Sequence, residues 1–423
     1  MNCPCAEATR RLRLPAIAAL LVGLPTFWAF PGELSFWRGV AIVSGWLGCG
    51  LLLTSLLLMI REARLADWLG GLERMYRWHH RLGVFAYLAL LVHPLALALD
   101  ARRDSAELAW AAISPLQQDW PGWLGWASLL CLMAGLGAAF SARIGYRVWR
   151  QLHGLLALAV AFGTTHLLLL GLDDWLLWMP LLMIAFMMWR MVRADFGLAA
   201  RPYLVSEVRK LDGSSVELAL RPLSQPIADA RPGQFIQAAF FNGPRFRGCG
   251  EFHPFTISEM THAGVISLGI KGLGDCTRHL QEVEGGVEVR IQGPFGTFLA
   301  QGRERPNLWI AGGIGITPFI AALRGERMTT TVHLAYLHRN DADAAYVATL
   351  RGLAREQPRL TLDIVVTGDA LPDIAAILHK VDGLRDRDCH LCGPAGLVES
   401  AVATLKARGV AAESIHFEAF EFR

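Results

Sequence analysis

Residues 75–96 read "MYRWHHRLGVFAYLALLVHPLA". Two adjacent histidines, His79 and His80, open an apolar run that carries a third, His93. An ionisable side chain at membrane depth costs free energy unless something engages it, so such residues mark function. Whether this run crosses a bilayer decides the fold class, and the rest of the chain supplies the answer. Of 423 residues, 53% are hydrophobic, and the mean hydropathy of +0.35 is too high for a soluble protein of this length. The net charge of +3 gives no sign of nucleic acid, and neither that partner nor an obligate protein partner is expected.

The texture changes near residue 195. Before it, six apolar segments are long enough to span a bilayer, at about 14–30, 37–60, 79–99, 122–140, 149–171 and 175–192. The first follows "RRLR" like a signal peptide, but no small-x-small cleavage site is evident, so it is read as a span. Arginines then assign the sides. Arg10, Arg11 and Arg13 precede the first span, and Arg61, Arg64, Arg74 and Arg77 lie between the second and third. Arg143 and Arg147 lie between the fourth and fifth, and Arg190 and Arg193 close the sixth. The alternate loops carry Glu33, then Asp100, Asp104, Glu107 and Asp119, then Asp173 and Asp174. The expectation is an inner-membrane protein of bacterial type with both termini cytoplasmic, embedded in lipid through residues 1–195.

The fifth span reads "VWRQLHGLLALAVAFGTTHLL" and carries His153 and His166. On the charge pattern it runs the same way as the third, so inner imidazole faces inner and outer faces outer. Thirteen or fourteen residues rise roughly 20 Å, which stacks two cofactors across a hydrocarbon layer of about 30 Å. Haem with two axial histidines uses single imidazoles from facing helices in this way. At about 100° per residue, a spacing of fourteen returns within roughly 40° of one face, whereas thirteen misses by about 140°. His79 therefore shares the stripe of His93 and His80 does not. His153 and His166, thirteen apart, need a local bulge or obliquely directed ligands. His80, Arg81 and Arg150 suit the cytoplasmic edge, as caps, interfacial anchors or propionate contacts. A metal-transport site is the non-redox alternative, but no span has an interior Asp or Glu.

From residue 200 short alternating strands take over, such as "YLVSEVRKL", "SVELALRPL" and "QFIQAAFF", separated by turn signals. Residues 200–300 read as a small antiparallel barrel. In 301–423, "NLWIAGGIGITPFIAAL" is a buried strand, a glycine-rich turn and a helix, with Thr317 as N-cap and Pro318 first in the helix. Gly312, Gly313 and Gly315 let backbone approach a pyrophosphate. Alternating strands and helices come next, giving a doubly wound α/β domain. Cys389 and Cys392 form a C-x-x-C in a strand, where residues three apart face opposite sides, so the spacing is read as coincidence. No cysteine run of iron–sulfur type is present.

Further motifs come in order: "HPFTIS" (253–258), "KGLGDCTRHL" (271–280), "GPFG" (293–296), "CGP" (392–394) and a terminal "FEAFEFR". With these the chain resembles the NADPH oxidase and ferric reductase superfamily, over essentially all its length. The resemblance implies a six-span bis-haem domain joined to a ferredoxin-reductase-like FAD and NAD(P)H module. It places His253, Pro254, Phe255 and Thr256 along the flavin, with the Thr256 hydroxyl near the reactive ring nitrogen. Lys271, Gly274 and Thr277 match the turn that holds the FAD pyrophosphate. Gly312, Gly313, Gly315, Thr317 and Pro318 match the NAD(P)H turn, and Cys392, Gly393 and Pro394 the segment beside the nicotinamide. Glu418 and Phe420 match a terminal pair near the isoalloxazine. The family's third span often reads "WHRRLG…HP"; here it reads "WHHRLG…HP", which again selects His79.

The same resemblance implies an oxidoreductase carrying electrons from cytoplasmic NAD(P)H through FAD and two b-type haems to an outer-face acceptor. His79 and His153 would hold the inner haem, His93 and His166 the outer. Flavin is needed because NAD(P)H gives up a hydride and haem takes one electron at a time. The acceptor is expected to be dioxygen, giving superoxide, with a ferric chelate as the alternative. Arg339, in "HRNDADAAY", suits the 2′-phosphate of NADPH, and Asp341 the ribose hydroxyl of NADH.

Overall fold

The computed structural model describes residues 16–24, 27, 34–141, 144–170, 177–300, 305–325 and 327–420; the side chains of residues 146, 147, 343, 419 and 420 are not described. Of the charges that assign sides, Arg10, Arg11, Arg13, Glu33, Arg143, Asp173 and Asp174 lie outside the described residues. The chain divides into two compact units at Leu198/Ala199.

In the first unit, four helices are long and apolar enough to cross a membrane, by length and composition. They are α1 (Phe36–Leu57), α2 (Leu72–Ala101), α3 (Trp120–Phe140) and α4 (Tyr146–Leu169). Residues 16–24 and α5 (Trp178–Arg190) are also helical, in the segments expected to hold the first and sixth spans. Their described parts are too short to cross, so among the described residues the count of spanning helices is four, not six. Capping is local: the Ser35 hydroxyl accepts from Arg38 N–H, and Asp119 accepts from Gly122 N–H just after Trp120 and Pro121.

α1 packs along α2, and α3 along α4, as two hairpins. Small residues set the approach. A Cβ on Gly48 would sit 2.5 Å from Leu90, and one on Gly135 the same distance from Leu156. On α2, Phe85, Leu88, Val92, Leu95 and Leu99 are exposed. Their three-and-four spacing draws one apolar stripe, roughly 150° round the helix from His79 and His93. One face is thus fit for lipid and the opposite one carries the imidazoles. α2 begins seven residues before the apolar run, because Glu73, Arg74 and Arg77 continue the helix outside the hydrophobic stretch. Pro94 lies inside it and cannot donate to the carbonyl of Leu90.

The second unit opens with a closed antiparallel barrel of β1 (Arg201–Lys210), β2 (Ser215–Pro222), β3 (Phe235–Phe240), β4 (His253–Met260), β5 (Ile266–Lys271) and β6 (Glu288–Phe295). Their order round the barrel is β1-β2-β5-β4-β3-β6. Alternate residues fill its core, Tyr203, Leu218, Ile236, Ile257, Leu268 and Val289 among them. A five-stranded parallel sheet comes next, in the order β11-β10-β7-β8-β9: β7 (Asn307–Gly312), β8 (Val332–His338), β9 (Leu360–Val366), β10 (Asp388–Pro394) and β11 (Ile415–Phe420). Helices α6 (Thr317–Gly325), α7 (Val347–Glu356) and α8 (Ala395–Ala407) connect its strands. Cys389 packs into the core on one side of the sheet and Cys392 into that on the other, so the C-x-x-C spacing brings no thiol pair together.

Candidate functional site

Three of the four membrane histidines share one feature that sequence does not display. His79 Nδ1–H donates to the Ser55 carbonyl at 3.1 Å, with the Ser55 hydroxyl at 2.8 Å. His93 Nδ1–H donates to the Ala41 carbonyl at 2.8 Å, and His166 Nδ1–H to that of Pro121 at 2.7 Å. A carbonyl accepts only, so Nδ1 carries the proton and the Nε2 lone pair is the one left for a ligand. Metal-bound histidines are held in this way by their second ring nitrogen. His153 departs from the other three: its ring stacks on Trp149 at 4.9 Å, and its buried Nδ1 has no hydrogen-bond partner. His79 and His80 both lie within electrostatic reach of His153, and His93 within reach of His166.

Glycines make room for two of the rings. A Cβ on Gly45 would lie 3.0 Å from Nδ1 of His93, and one on Gly125 would lie 3.2 Å from the His166 ring. α4 is a continuous α-helix without a bulge, so the thirteen-residue spacing is absorbed by the side chains and not by the backbone. His80 is exposed, its ring edge-on to Phe140 at 5.7 Å, and Arg81 lies over Trp78. Four imidazoles in two pairs, three of them pre-oriented with the Nε2 lone pair available, fit two bis-histidine haems.

In the second unit, His253, Pro254, Phe255 and Thr256 open β4, with Thr256 paired to Phe235 and His253 to Ala238. Thr256 is buried and Phe255 packs edge-on to Phe240. Lys271 ends β5 opposite Ser215. In the following turn, Thr277 Oγ1 accepts from Leu273 N–H and Gly274 N–H, both at 2.9 Å. Thr277 therefore organises the turn, while Gly274 starts a five-residue helix, Asp275–His279.

Gly312 ends β7 and Gly313 and Gly315 follow it, while Cys392, Gly393 and Pro394 end the neighbouring β10, so the two turns lie side by side. Contact between them demands glycine. A Cβ on Gly315 would lie within 3 Å of the Cys392 carbonyl and of Gly393 Cα. Gly313 has φ +54°, a conformation glycine adopts without strain. Residues Gly313–Ile316 form a 3-10 turn, and Thr317 is already helical. Its hydroxyl donates to the Ile314 carbonyl at 3.0 Å, so Thr317 is not the N-cap that the sequence suggested; the helical end starts one turn earlier. Pro318 is buried in α6. Glu418 on β11 lies opposite Cys392, and Phe420 opposite Pro394; the Phe420 side chain lies outside the described residues. Arg339 is exposed just past β8.

α6 packs against β4, which brings the glycine-turn helix onto the strand carrying His253 to Thr256. A hub unseen in the sequence ties these elements. Glu217 on β2 accepts from Arg324 at 2.7 and 3.3 Å, Ser258 at 2.9 Å, Tyr346 at 2.8 Å, and also Arg209. Burial alone would raise its carboxyl, but the hydrogen bonds from Arg324 and Arg209 hold it down to about 2. Burial and the Glu217 charge push the Tyr346 phenol well above its ordinary value. The available signal was a carboxylate in a strand otherwise buried on both faces.

Residues 44–164 match the family described as ferric reductase like transmembrane component. The chain is also similar to the toluate 1,2-dioxygenase electron transfer component of Pseudomonas putida, 26% identical over 231 residues, which are 51% of this chain and 66% of that one. A flavohemoprotein of Pseudomonas putida is 26% identical over 245 residues, 55% of this chain and 60% of that one. Thus the chain spans less than two thirds of the length of either relative. Among solved structures, the flavohem-like FAD/NAD binding domain of nitric oxide dioxygenase from Vibrio cholerae aligns with 52% of this chain and 99% of its own, at 22% identity and a TM-score of 0.45. The chain joins a ferric-reductase-like membrane component to a reductase module of the ferredoxin-reductase type, a combination consistent with the ferric reductase and NADPH oxidase superfamily.

Proposed function

We propose that this protein is a transmembrane NAD(P)H oxidoreductase that delivers electrons to dioxygen on the outer face of a bacterial-type inner membrane. In this reading six spans cross the bilayer, and both termini and the reductase module are cytoplasmic. Bound FAD supplies the conversion of a two-electron hydride donor to one-electron transfer, and two b-type haems supply the one-electron path across the bilayer. The observation that carries the reading is the set of four imidazoles in two pairs, three with Nδ1–H fixed on a neighbouring carbonyl.

The chain's own residues have defined tasks. Nε2 of His79 and His153 would hold the inner iron, and Nε2 of His93 and His166 the outer. The carbonyls of Ser55, Ala41 and Pro121 fix ring tautomer and orientation. Held in these pairs, the four histidines would leave the acceptor no open metal position to bind. In the second unit His253 to Thr256 on β4 would hold the flavin, with the Thr256 hydroxyl as the hydrogen-bonding group beside its reactive ring. Backbone of the Gly274 turn binds the FAD pyrophosphate, and Lys271 adds a positive charge there. The paired turns at Gly312–Gly315 and Cys392–Pro394 bind NAD(P)H, with Arg339 meeting the 2′-phosphate of NADPH. Glu418 and Phe420 close the terminal edge beside Cys392.

An absorption spectrum of the purified protein tests the core of this. Two low-spin b-type haems per chain, reducible by NAD(P)H, are expected; a five-coordinate high-spin haem, or none, refutes it. Turnover with and without superoxide dismutase then separates acceptors. Cytochrome c reduction that survives the dismutase, together with fast ferric-chelate reduction, would replace dioxygen by ferric iron. The family description of residues 44–164 is what keeps that second acceptor in view.

A further inference from the structure

Three side chains that the proposed function does not unite lie together at the edge of the barrel. Cys249, in the loop between β3 and β4, places Sγ 3.5 Å from Nε2 of His253. Cys276, just after the Gly274 turn, completes the group, and the three ligand atoms all lie within 4.8 Å of one another. Each of the three residues is half-buried.

The backbone holds these ligands in advance. Gly250 takes φ +63° and donates its N–H to the Phe240 carbonyl at 3.0 Å, while Gly248 N–H donates to the Asn242 side chain at 3.1 Å. Cys249 is pinned between them. On the other side, the two hydrogen bonds into Thr277 Oγ1 fix the turn that presents Cys276. Around a tetrahedral ion with bonds of about 2.3 Å to sulfur and about 2.0 Å to nitrogen, ligand atoms stand roughly 3.5–3.8 Å apart. The Cys249–His253 edge already has that length, and the other two edges are no longer than 4.8 Å. Two thiolates and an imidazole favour a soft or borderline ion over magnesium or calcium. Burial raises the Cys249 thiol, but hydrogen bonds with His253 and Cys276 bring it below its ordinary value; burial and the neighbouring Cys249 push Cys276 up to about 12. A dication between them removes that conflict by taking both as thiolates.

We propose that Cys249, His253 and Cys276 form a three-ligand site for a thiophilic d10 cation of the zinc class, its fourth position left to solvent or an added ligand. The inference rests on these three side chains and not on the flavin reading, although His253 and Cys276 belong to segments assigned to flavin.

The test uses the full-length protein, reduced with a phosphine and equilibrated with micromolar free Zn2+. Expected are one zinc per chain by elemental mass spectrometry and a zinc K-edge absorption spectrum with two sulfurs at about 2.3 Å and one nitrogen. Cys249→Ser and Cys276→Ser should each weaken binding by at least about 100-fold, and Cys389→Ser, in the core of the parallel sheet, should leave it unchanged. A sulfur-free zinc shell, or full zinc content in the Cys249→Ser/Cys276→Ser double variant, overturns the proposal. Should the serine variants fail to fold, zinc must still slow N-ethylmaleimide modification of Cys249 and Cys276 in the unaltered protein; no protection overturns it equally. Flavin content is measured before zinc is added, so that a protein without FAD bears on the reductase reading alone.

Discussion

Replacing Glu217 by Gln should loosen the barrel from the α6 helix while leaving the parallel sheet intact. The side chain is only 8% exposed and accepts from Arg324, Ser258 and Tyr346 as well as Arg209. Removing one member of a buried ion pair costs about 3–5 kcal/mol. Arg324, 14% exposed, keeps Glu259 at 3.3 Å, which sets the expected loss near the low end, about 3 kcal/mol. Each 1.4 kcal/mol is tenfold, so local opening should become roughly 100-fold more frequent. Hydrogen–deuterium exchange on the full-length protein reads this directly, with peptides from β2, β4 and α6 exchanging faster and those from β9 serving as reference. The pH dependence gives a second arm. The carboxyl sits at about 2 when folded against an ordinary 4.5, so its contribution is complete above about 4.5 and is lost as pH falls through about 2. The linkage amounts to about 3 kcal/mol at neutral pH. Wild-type protection, corrected for the intrinsic rate, should therefore fall between pH 5 and 2, and the Gln variant should lack that slope. Equal exchange in both proteins, or an identical pH slope, would refute the reasoning.

Gly315→Ala should be far worse than Gly313→Ala, because the first drives a Cβ into the backbone of Cys392 and the second meets only open space at a positive φ. Expected costs are about 3 kcal/mol against about 1 kcal/mol, checked by exchange of the β7–α6 peptides and by the Michaelis constant for NADPH. Arg339→Ala should raise the Michaelis constant for NADPH roughly 10-fold more than that for NADH; equal effects would remove Arg339 from the 2′-phosphate. His79→Ala should lose one of two haems by pyridine haemochrome, while His80→Ala, altering an exposed ring against Phe140, should keep both. The reverse result would shift the register by one.

Much of this was legible in periodicity and turn chemistry. The stripe shared by His79 and His93 follows from a fourteen-residue spacing, whereas the opposite exposed stripe emerges only from how α2 is packed. The glycine turns announced themselves because close backbone approach tolerates no Cβ, as Gly315 against Cys392 shows. What remained hidden depends on which element packs beside which. The carbonyls of Ser55, Ala41 and Pro121 belong to residue types that carry no signal for binding an imidazole; only the hairpin pairing of α1 with α2 and of α3 with α4 brings them there. Thr317 misled because a threonine before a proline looks like a cap, whereas the glycines ahead of it wind a 3-10 turn that moves the helical end upstream. Glu217 could be suspected as a charge in a buried strand, but Arg324 and Tyr346 lie more than a hundred residues away.

The two histidine pairs differ in how their rings are held. A carbonyl on Nδ1 fixes ring rotation and strengthens the imidazole as a donor. The outer pair has this on both sides, from Ala41 and Pro121, with Gly45 and Gly125 clearing space beside each ring. The inner pair has it on one side only, since His153 is steadied by stacking on Trp149 and its Nδ1 is unengaged. Stacking fixes the plane of a ring but adds no hydrogen-bond acceptor to its far nitrogen. On the haem reading the outer iron would be held by two pre-oriented ligands, and the inner by one such ligand and one steadied by stacking alone. The inner site should then be the first to lose its sixth ligand when the protein is perturbed, and the first to bind an added imidazole.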